Sequence, residues 1–235
     1  MITMLDLIKA MEMEGGATDL MIKVRNGVMS SRLLDIEWTT LAEATIPTNM
    51  DDVDIPIVNI DKVKDLLKRF GSDAQIIIKN NKLIASEGTK RGWVNLGNSA
   101  SIESHERFVG KSDAFDKQEQ ILKEDKNKEW YKLKVSIATL KKILKDTEAV
   151  DSTFVEFIIE DGMLKFRSEG QDSGFERDLG KDVTGELKAM FKVPFHRVIS
   201  TTFETEVHLF IRTNTPLYIK GEHSRYIIAP VIIEK

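Results

Sequence analysis

The sequence predicts an α+β protein of two similar domains, each with two helices packed on antiparallel β-sheets. Three observations lead there. A unit of one short helix followed by a strand hairpin recurs four times, and a highly charged stretch interrupts the pattern near the middle of the chain. At 235 residues the chain also has room for two cores of roughly 115 residues each.

The second copy shows the unit most clearly. Segment 59–70 (NIDKVKDLLKRF) places Ile60, Val63, Leu66, Leu67 and Phe70 on one helical face, and Gly71 follows as a helix stop. Strands at 75–79 and 82–86 flank Asn80 and Asn81, which tolerate the positive φ of a tight hairpin. In the third copy Ser136 is a candidate N-cap for a helix over 137–150, with Ile137, Leu140, Ile143 and Leu144 inward. Strands 153–160 and 163–168 then flank Asp161-Gly162. The fourth copy opens a helix at Pro194 with Phe195, Val198 and Ile199 apolar, followed by strands 206–213 and 216–220. In the first, Thr3 caps a helix with Leu5 and Ile8 inward, its end falling within 11–16, and strands 20–25 and 28–34 flank Asn26-Gly27. Further strand-like runs lie at 39–47, 92–96, 131–135, 187–193 and 225–233.

This pattern implies domains at 1–110 and 129–235, joined by 111–128 (KSDAFDKQEQILKEDKNK) as an interdomain connector. A solvated helix is the alternative reading of that stretch, whose polarity is interrupted by Ile121 and Leu122.

Composition narrows the function classes. Apolar residues make up 41% and charged residues 31%, the balance of an ordered soluble protein. No apolar run approaches the roughly 18 residues of a membrane helix. The first nine residues show no export signal, so a cytoplasmic location is expected. Cysteine is absent, which removes disulfides, thiolate metal sites and a cysteine nucleophile. His105, His196, His208 and His223 have no metal-ligand spacing, so neither a metal nor a cofactor is expected. Phosphate-cradling glycine loops and nucleophile elbows are missing too. Acidic pairs such as Asp51-Asp52 and Glu160-Asp161 fall in predicted turns, where solvation explains them. The chain reads as a protein that is not an enzyme.

A net charge of −4 argues against nucleic-acid binding until its distribution is considered. The predicted helices are basic on an acidic molecule: Lys9 on the first, Lys62, Lys64, Lys68 and Arg69 on the second, Lys141, Lys142 and Lys145 on the third, His196 and Arg197 on the fourth. Any one such helix is ordinarily just a solvated face. If all four lie on one side of the sheets, their cations converge on one surface suited to sequence-independent contact with nucleic-acid phosphates.

Several segments resemble the proliferating-cell nuclear antigen family of sliding clamps, and the similarity runs through nearly the whole chain. Segment 225–234 (RYIIAPVIIE) resembles the family's ending, 214–217 (NTPL) its entry to the penultimate strand, 33–47 (LLDIEWTTLAEATIP) its early motif ending in proline, and 57–70 its second helix. Trp38 stands where histidine is common, Val231 where a basic residue is usual, and the connector is rich in lysine. The modest length is similar to that of archaeal or viral members.

The resemblance implies the DNA clamp fold and a homotrimer closed into a ring, with helices lining the hole and sheets outside. It implies a processivity factor in DNA replication and repair that encircles duplex DNA and tethers DNA polymerase, the clamp loader and other proteins through a short peptide motif. Family subunits join head to tail by edge strands, for which 101–108 and 171–179 are the positional candidates. The partner-binding positions it implies are Leu34, Trp38, Leu41, Ile121, Leu122, Pro216, Tyr226, Ala229 and Pro230. A subunit of a heterotrimeric clamp, a processivity factor without a ring, and an unrelated antiparallel binding module or enzyme are the competing readings.

Overall fold

The computed structural model describes residues 2–71, 74–104, 108, 113–124, 130–147, 150, 152–192 and 194–232. His105, the two ends of the predicted connector, the middle of the 101–108 segment, and Ile233 and Glu234 lie outside these residues. The chain divides into two compact units, Met1–Ser112 with Thr201–Phe203, and Asp113–Ser200 with Glu204–Lys235.

The first unit begins with a reciprocal cap. The Thr3 hydroxyl accepts the Asp6 N–H at 3.3 Å while the Asp6 carboxylate accepts the Thr3 N–H at 2.9 Å, which satisfies two donors that a helix start leaves open. Helix α1 (Met4–Glu12) follows and stops at Met13, in the left-handed region at φ 50°. Met4, Leu7, Ile8, Ala10 and Met11 are buried; Leu5, expected inward, is only half-buried because the stripe is centred on Leu7 and Ile8. Strands β1 (Leu20–Arg25), β2 (Val28–Leu34), β3 (Thr40–Pro47) and β4 (Val53–Ile57) pair antiparallel in the order β4-β1-β2-β3. Asn26 and Gly27 take φ of 51° and 73° in the β1–β2 hairpin, the conformation such a turn needs.

Asn59 caps helix α2 (Ile60–Leu67) by accepting the Lys62 N–H at 2.9 Å. The helix ends earlier than the apolar stripe suggested. Lys68 is its C-cap, and Arg69 and Phe70 close it with tighter bonds to the carbonyls of Leu66 and Leu67. Strands β5 (Gln75–Lys79), β6 (Lys82–Glu87) and β7 (Lys90–Asn95) form a second antiparallel sheet in that order. Gly92 lets α2 lie close on this sheet: a Cβ there would come within 2.7 Å of Leu66 Cδ1 and 3.4 Å of the Phe70 ring.

A 3-10 turn at Ser99–Ser101 follows, and Glu103, Ser104 and Phe108 are helical. The expectation of an edge strand at 101–108 is therefore corrected. The buried carboxylate of Asp19 accepts the Glu103 and Ser104 N–H groups at 2.8 and 3.1 Å, which starts a helical turn instead.

The second unit repeats the plan. Helix α3 (Ala114–Glu124) occupies much of the stretch read as a connector, so the helical alternative holds for these residues. Then come β8 (Tyr131–Ser136), α4 (Ile137–Thr147), β9 (Phe154–Glu160), β10 (Met163–Glu169), β11 (Gly174–Gly180), β12 (Lys188–Lys192), α5 (Pro194–Thr201), β13 (Glu206–Ile211), β14 (Leu217–Lys220), β15 (Ser224–Ile228) and β16 (Pro230–Val231). Ser136 accepts the Thr139 N–H at 3.1 Å as the predicted cap. The expected strand at 225–233 breaks at Ala229, between β15 and β16.

The order β12-β9-β10-β11 reproduces β4-β1-β2-β3, and β13-β14-β15 reproduces β5-β6-β7, with β8 added beside β13 and β16 beside β12. Duplication is thus visible in topology as well as in pattern. The core of this unit centres on Phe157, which meets Phe166, Phe191 and Phe195 edge-to-face at centroid distances of 5.4, 6.2 and 5.8 Å, all four being fully buried.

Phe157→Ala removes the ring common to these contacts and is expected to lower unfolding stability by about 3–5 kcal/mol. Urea denaturation followed by circular dichroism measures the loss; a change below about 1 kcal/mol would show that the cluster is not the centre of this core.

Candidate functional site

The predicted cations fall into distinct environments. On α2, Lys62 and Lys68 are exposed, as is Arg69 just beyond the helix. Lys64 is not on the open face as expected. Its side chain is 15% exposed, and its ammonium sits 2.5 Å from Glu12 at the end of α1 and 3.1 Å from Asp61. Burial works against that charge, but the bonds to Glu12 and Asp61 outweigh it and raise the Lys64 pKa. Lys64 therefore staples α2 to α1 and offers little to a phosphate. Lys9 on α1 is half-buried.

In the second unit Lys141, Lys142 and Lys145 are all exposed on α4, opposite the buried Leu140, Ile143 and Leu144. His196 and Arg197 on α5 are half-buried, with the His196 ring against Phe195.

The implied partner-binding residues also separate. Leu34 and Leu41 are buried cross-strand partners on β2 and β3, and Tyr226 is completely buried on β15. These three are counted among the buried core residues of the single chain. Trp38 and Ile121 are exposed at 62% and 44%, Ala229 is exposed, and Leu122, Pro216 and Pro230 are half-buried.

Trp38 is held out by a built turn. Asp35, 2% exposed, accepts the Thr39 N–H at 2.7 Å, the Thr39 hydroxyl at 2.9 Å and the Thr40 N–H at 3.0 Å. That fixes the β2–β3 connection and places Trp38 at φ 58°, uncommon for so large a residue. Ile36, missed in the sequence, is 49% exposed on the same turn. An apolar pair on a rigid polar scaffold suits recognition, since little entropy remains to be lost on binding. The signal available was Asp35 followed by Thr39 and Thr40, an aspartate with turn donors beyond it.

A charged ladder crosses the outer strands of the second unit. Arg167 on β10 lies 2.6 Å from Glu160 and 2.7 Å from Glu176, and Lys165 lies 2.9 Å from Glu176. The bonds from Lys165 and Arg167 depress the Glu176 pKa. They tie β11 to β10, and β11 is the terminal strand of its sheet, as β7 is of its own. Strand β7 exposes Lys90, Arg91, Trp93 and Asn95, with Trp93 60% exposed; β11 exposes Glu176 and Asp178.

Among the described residues no group of three or more His, Asp or Glu could hold a metal ion, and no helix is long and apolar enough to cross a membrane.

Asp35→Ala strands the Thr39 and Thr40 donors and is expected to loosen the turn at a cost on the order of 3 kcal/mol. Fluorescence anisotropy of Trp38, read with Trp93 and Trp130 replaced by phenylalanine, should fall; unchanged anisotropy would show that Asp35 does not hold the turn.

Comparison with solved structures finds the same fold over nearly the whole chain. The proliferating-cell nuclear antigen of A. fulgidus, solved with the C-terminal region of FEN-1 bound, superposes with a TM-score of 0.71 at 16% identity, covering 98% of this chain and 96% of that one. The Thermococcus kodakaraensis protein of the same name gives 0.69 at 18% identity, covering 97% and 95%. The DNA polymerase sliding clamp of Pseudomonas aeruginosa gives 0.68 at 12% identity, with 97% of this chain matching 64% of that one. No protein-family model matches the chain, nor does any curated protein. The chain has the sliding-clamp fold.

Proposed function

We propose that this chain is a subunit of a DNA sliding clamp, a non-enzymatic ring that encircles duplex DNA and tethers polymerase, clamp loader and other replication or repair proteins. The observation that carries the reading is the whole-chain likeness to clamp structures, strengthened by the duplicated topology. Such a protein works through topology. Closure prevents dissociation, weak phosphate contacts permit sliding, and tethering raises the local concentration of the polymerase.

Ring closure needs a head-to-tail contact between unlike surfaces. The terminal strands β7 and β11 offer one: basic Lys90 and Arg91 on the first face acidic Glu176 and Asp178 on the second when two copies pair edge to edge. Pairing would cover unsatisfied strand backbones, which otherwise invite aggregation. The 171–179 candidate thus overlaps a terminal strand, and β7 replaces 101–108 as its counterpart.

DNA contact falls to Lys62, Lys68 and Arg69 beside α2 and to Lys141, Lys142 and Lys145 on α4, with Lys9, His196 and Arg197 placed less openly. Partner peptides are taken by the apolar groups each unit exposes, Ile36 and Trp38 on the first and Ile121 on the second, with half-buried Leu122 beside it. The 111–128 stretch serves as the connector, with α3 lying within it. A working location with the nucleoid, or at replicating DNA in an infected cell, follows from the same reading.

Light scattering across a dilution series should give a mass near three times the 26.7 kDa of one chain, and Trp93→Pro, which removes an N–H on the free edge of β7, should reduce it to one. A protein that stays monomeric at every concentration would sink the homotrimeric ring. Replacing Lys62, Lys68, Lys141 and Lys145 together by alanine should leave the mass unchanged but flatten the salt dependence of retention on circular DNA, by up to about four in the logarithmic slope. An unchanged slope would remove these lysines from the DNA surface.

A further inference from the structure

We infer that Glu119 is a positioning residue that locks α3 onto the β14–β15 hairpin, holding the helix that bears Ile121 and Leu122 as a fixed surface. Only the link to partner binding rests on the clamp reading; the lock itself is a property of the second unit.

One oxygen makes the lock. Glu119 Oε1 accepts the Tyr218 hydroxyl at 2.8 Å, the Lys220 ammonium at 2.9 Å and the Arg225 guanidinium at 3.1 Å. Tyr218 and Lys220 stand on β14 and Arg225 on β15, in direct register with Lys220, so the carboxylate bridges both strands. Arg225 also lies over the ring of Phe115, 4.7 Å from its centroid, and Phe115 is 1% exposed. Opposing these contacts, the buried amide nitrogen of Gln118 has no hydrogen-bond partner among the described residues, a cost to docking. The remaining polar face of α3 is solvated, with Gln120 bonded only along the helix to Glu124 among the contacts described. Phe115 and the Glu119 carboxylate therefore both hold α3 against β14 and β15.

The groups facing Glu119 make it a weak acid-sensor and a strong neutral-pH lock. The Lys220 bond, opposed by burial and reinforced by Tyr218, takes the Glu119 pKa down to about 2 from its ordinary 4.5. A lowered carboxylate pKa stabilises the docked state fully above pH 4.5 and ceases to do so as pH falls toward 2. Burial and the Glu119 bond raise the Tyr218 pKa, so its hydroxyl remains a donor throughout.

The chain has no cysteine, so a single Lys123→Cys on the exposed side of α3 can carry a nitroxide label without competing sites. Its mobility in the isolated chain reports docking without DNA or any partner. An immobilised spectrum is expected, becoming about threefold faster in Glu119→Gln at neutral pH. Lys220→Met and Tyr218→Phe, each removing one donor, should give intermediate mobility. The parent label should loosen in acid between pH 4.5 and about 2, a transition absent from Glu119→Gln. Circular dichroism at each pH separates loosening from global unfolding. Equal immobilisation in Glu119→Gln and Lys220→Met, or an acid transition that survives Glu119→Gln, overturns the lock whether or not the chain forms a ring. Conversely, a monomeric protein with the expected label mobilities would leave the lock standing and the ring reading failed.

Discussion

Each sheet in this protein has to bury one face under helices while its backbone donors and acceptors find partners along every strand, and both demands are met by the same repeated plan. Helix α1 covers β1 to β3 with a stripe centred on Leu7 and Ile8, and α2 comes close to β7 through Leu66. In the second unit the Phe157 cluster joins β9, β10, β12 and α5 around one set of rings. Antiparallel pairing satisfies the interior strands. It leaves terminal strands such as β7 and β11 with one unpaired side, and the proposed assembly follows from that residue of unsatisfied backbone rather than from any special site.

Much of the repeated framework could be read from local chemistry. The hairpins at Asn26-Gly27, Asn80-Asn81 and Asp161-Gly162 were legible because those residues accept the positive φ the turns require. The helices at Thr3 and Ser136 announced themselves through caps, whereas the Asn59 cap of α2 emerges only from the structure. What escaped depended on distant residues. The start of the 101–108 segment is helical because Asp19, far back in the chain, accepts its first N–H groups. Strand β4 carries Pro56 and acidic flanks that hide its pairing with β1, and α3 is too polar for periodicity to separate from a linker. Leu34, Leu41 and Tyr226 carry the family-like pattern, yet burial, which no single segment encodes, makes them core.

The positive charge shows a related division of labour. Lys64 is spent inside the first unit against Glu12 and Asp61, whereas Lys62 on the next face stays in water. A row of lysines in sequence therefore contains both structural and free cations, and only packing distinguishes them. In the second unit Arg167 is similarly committed, bracing β10 and β11 through Glu160 and Glu176. Acidic net charge and basic helix faces coexist because acids such as Glu160 and Glu176 take cations on the strands, whereas Lys141, Lys142 and Lys145 lie where α4 meets solvent.

The missing side chain at Gly92 has a mechanical consequence. With Leu66 and Phe70 seated directly over the backbone of β7, helix and strand have no soft layer between them through which one could slide independently of the other. A force pulling on β7 would be felt as a tilt of α2, and a load on the lysine-bearing face of α2 would be felt at β7. In the proposed ring, parting two copies at β7 and pressing DNA on α2 would then be two ends of one lever, with Gly92 as the reason it is stiff.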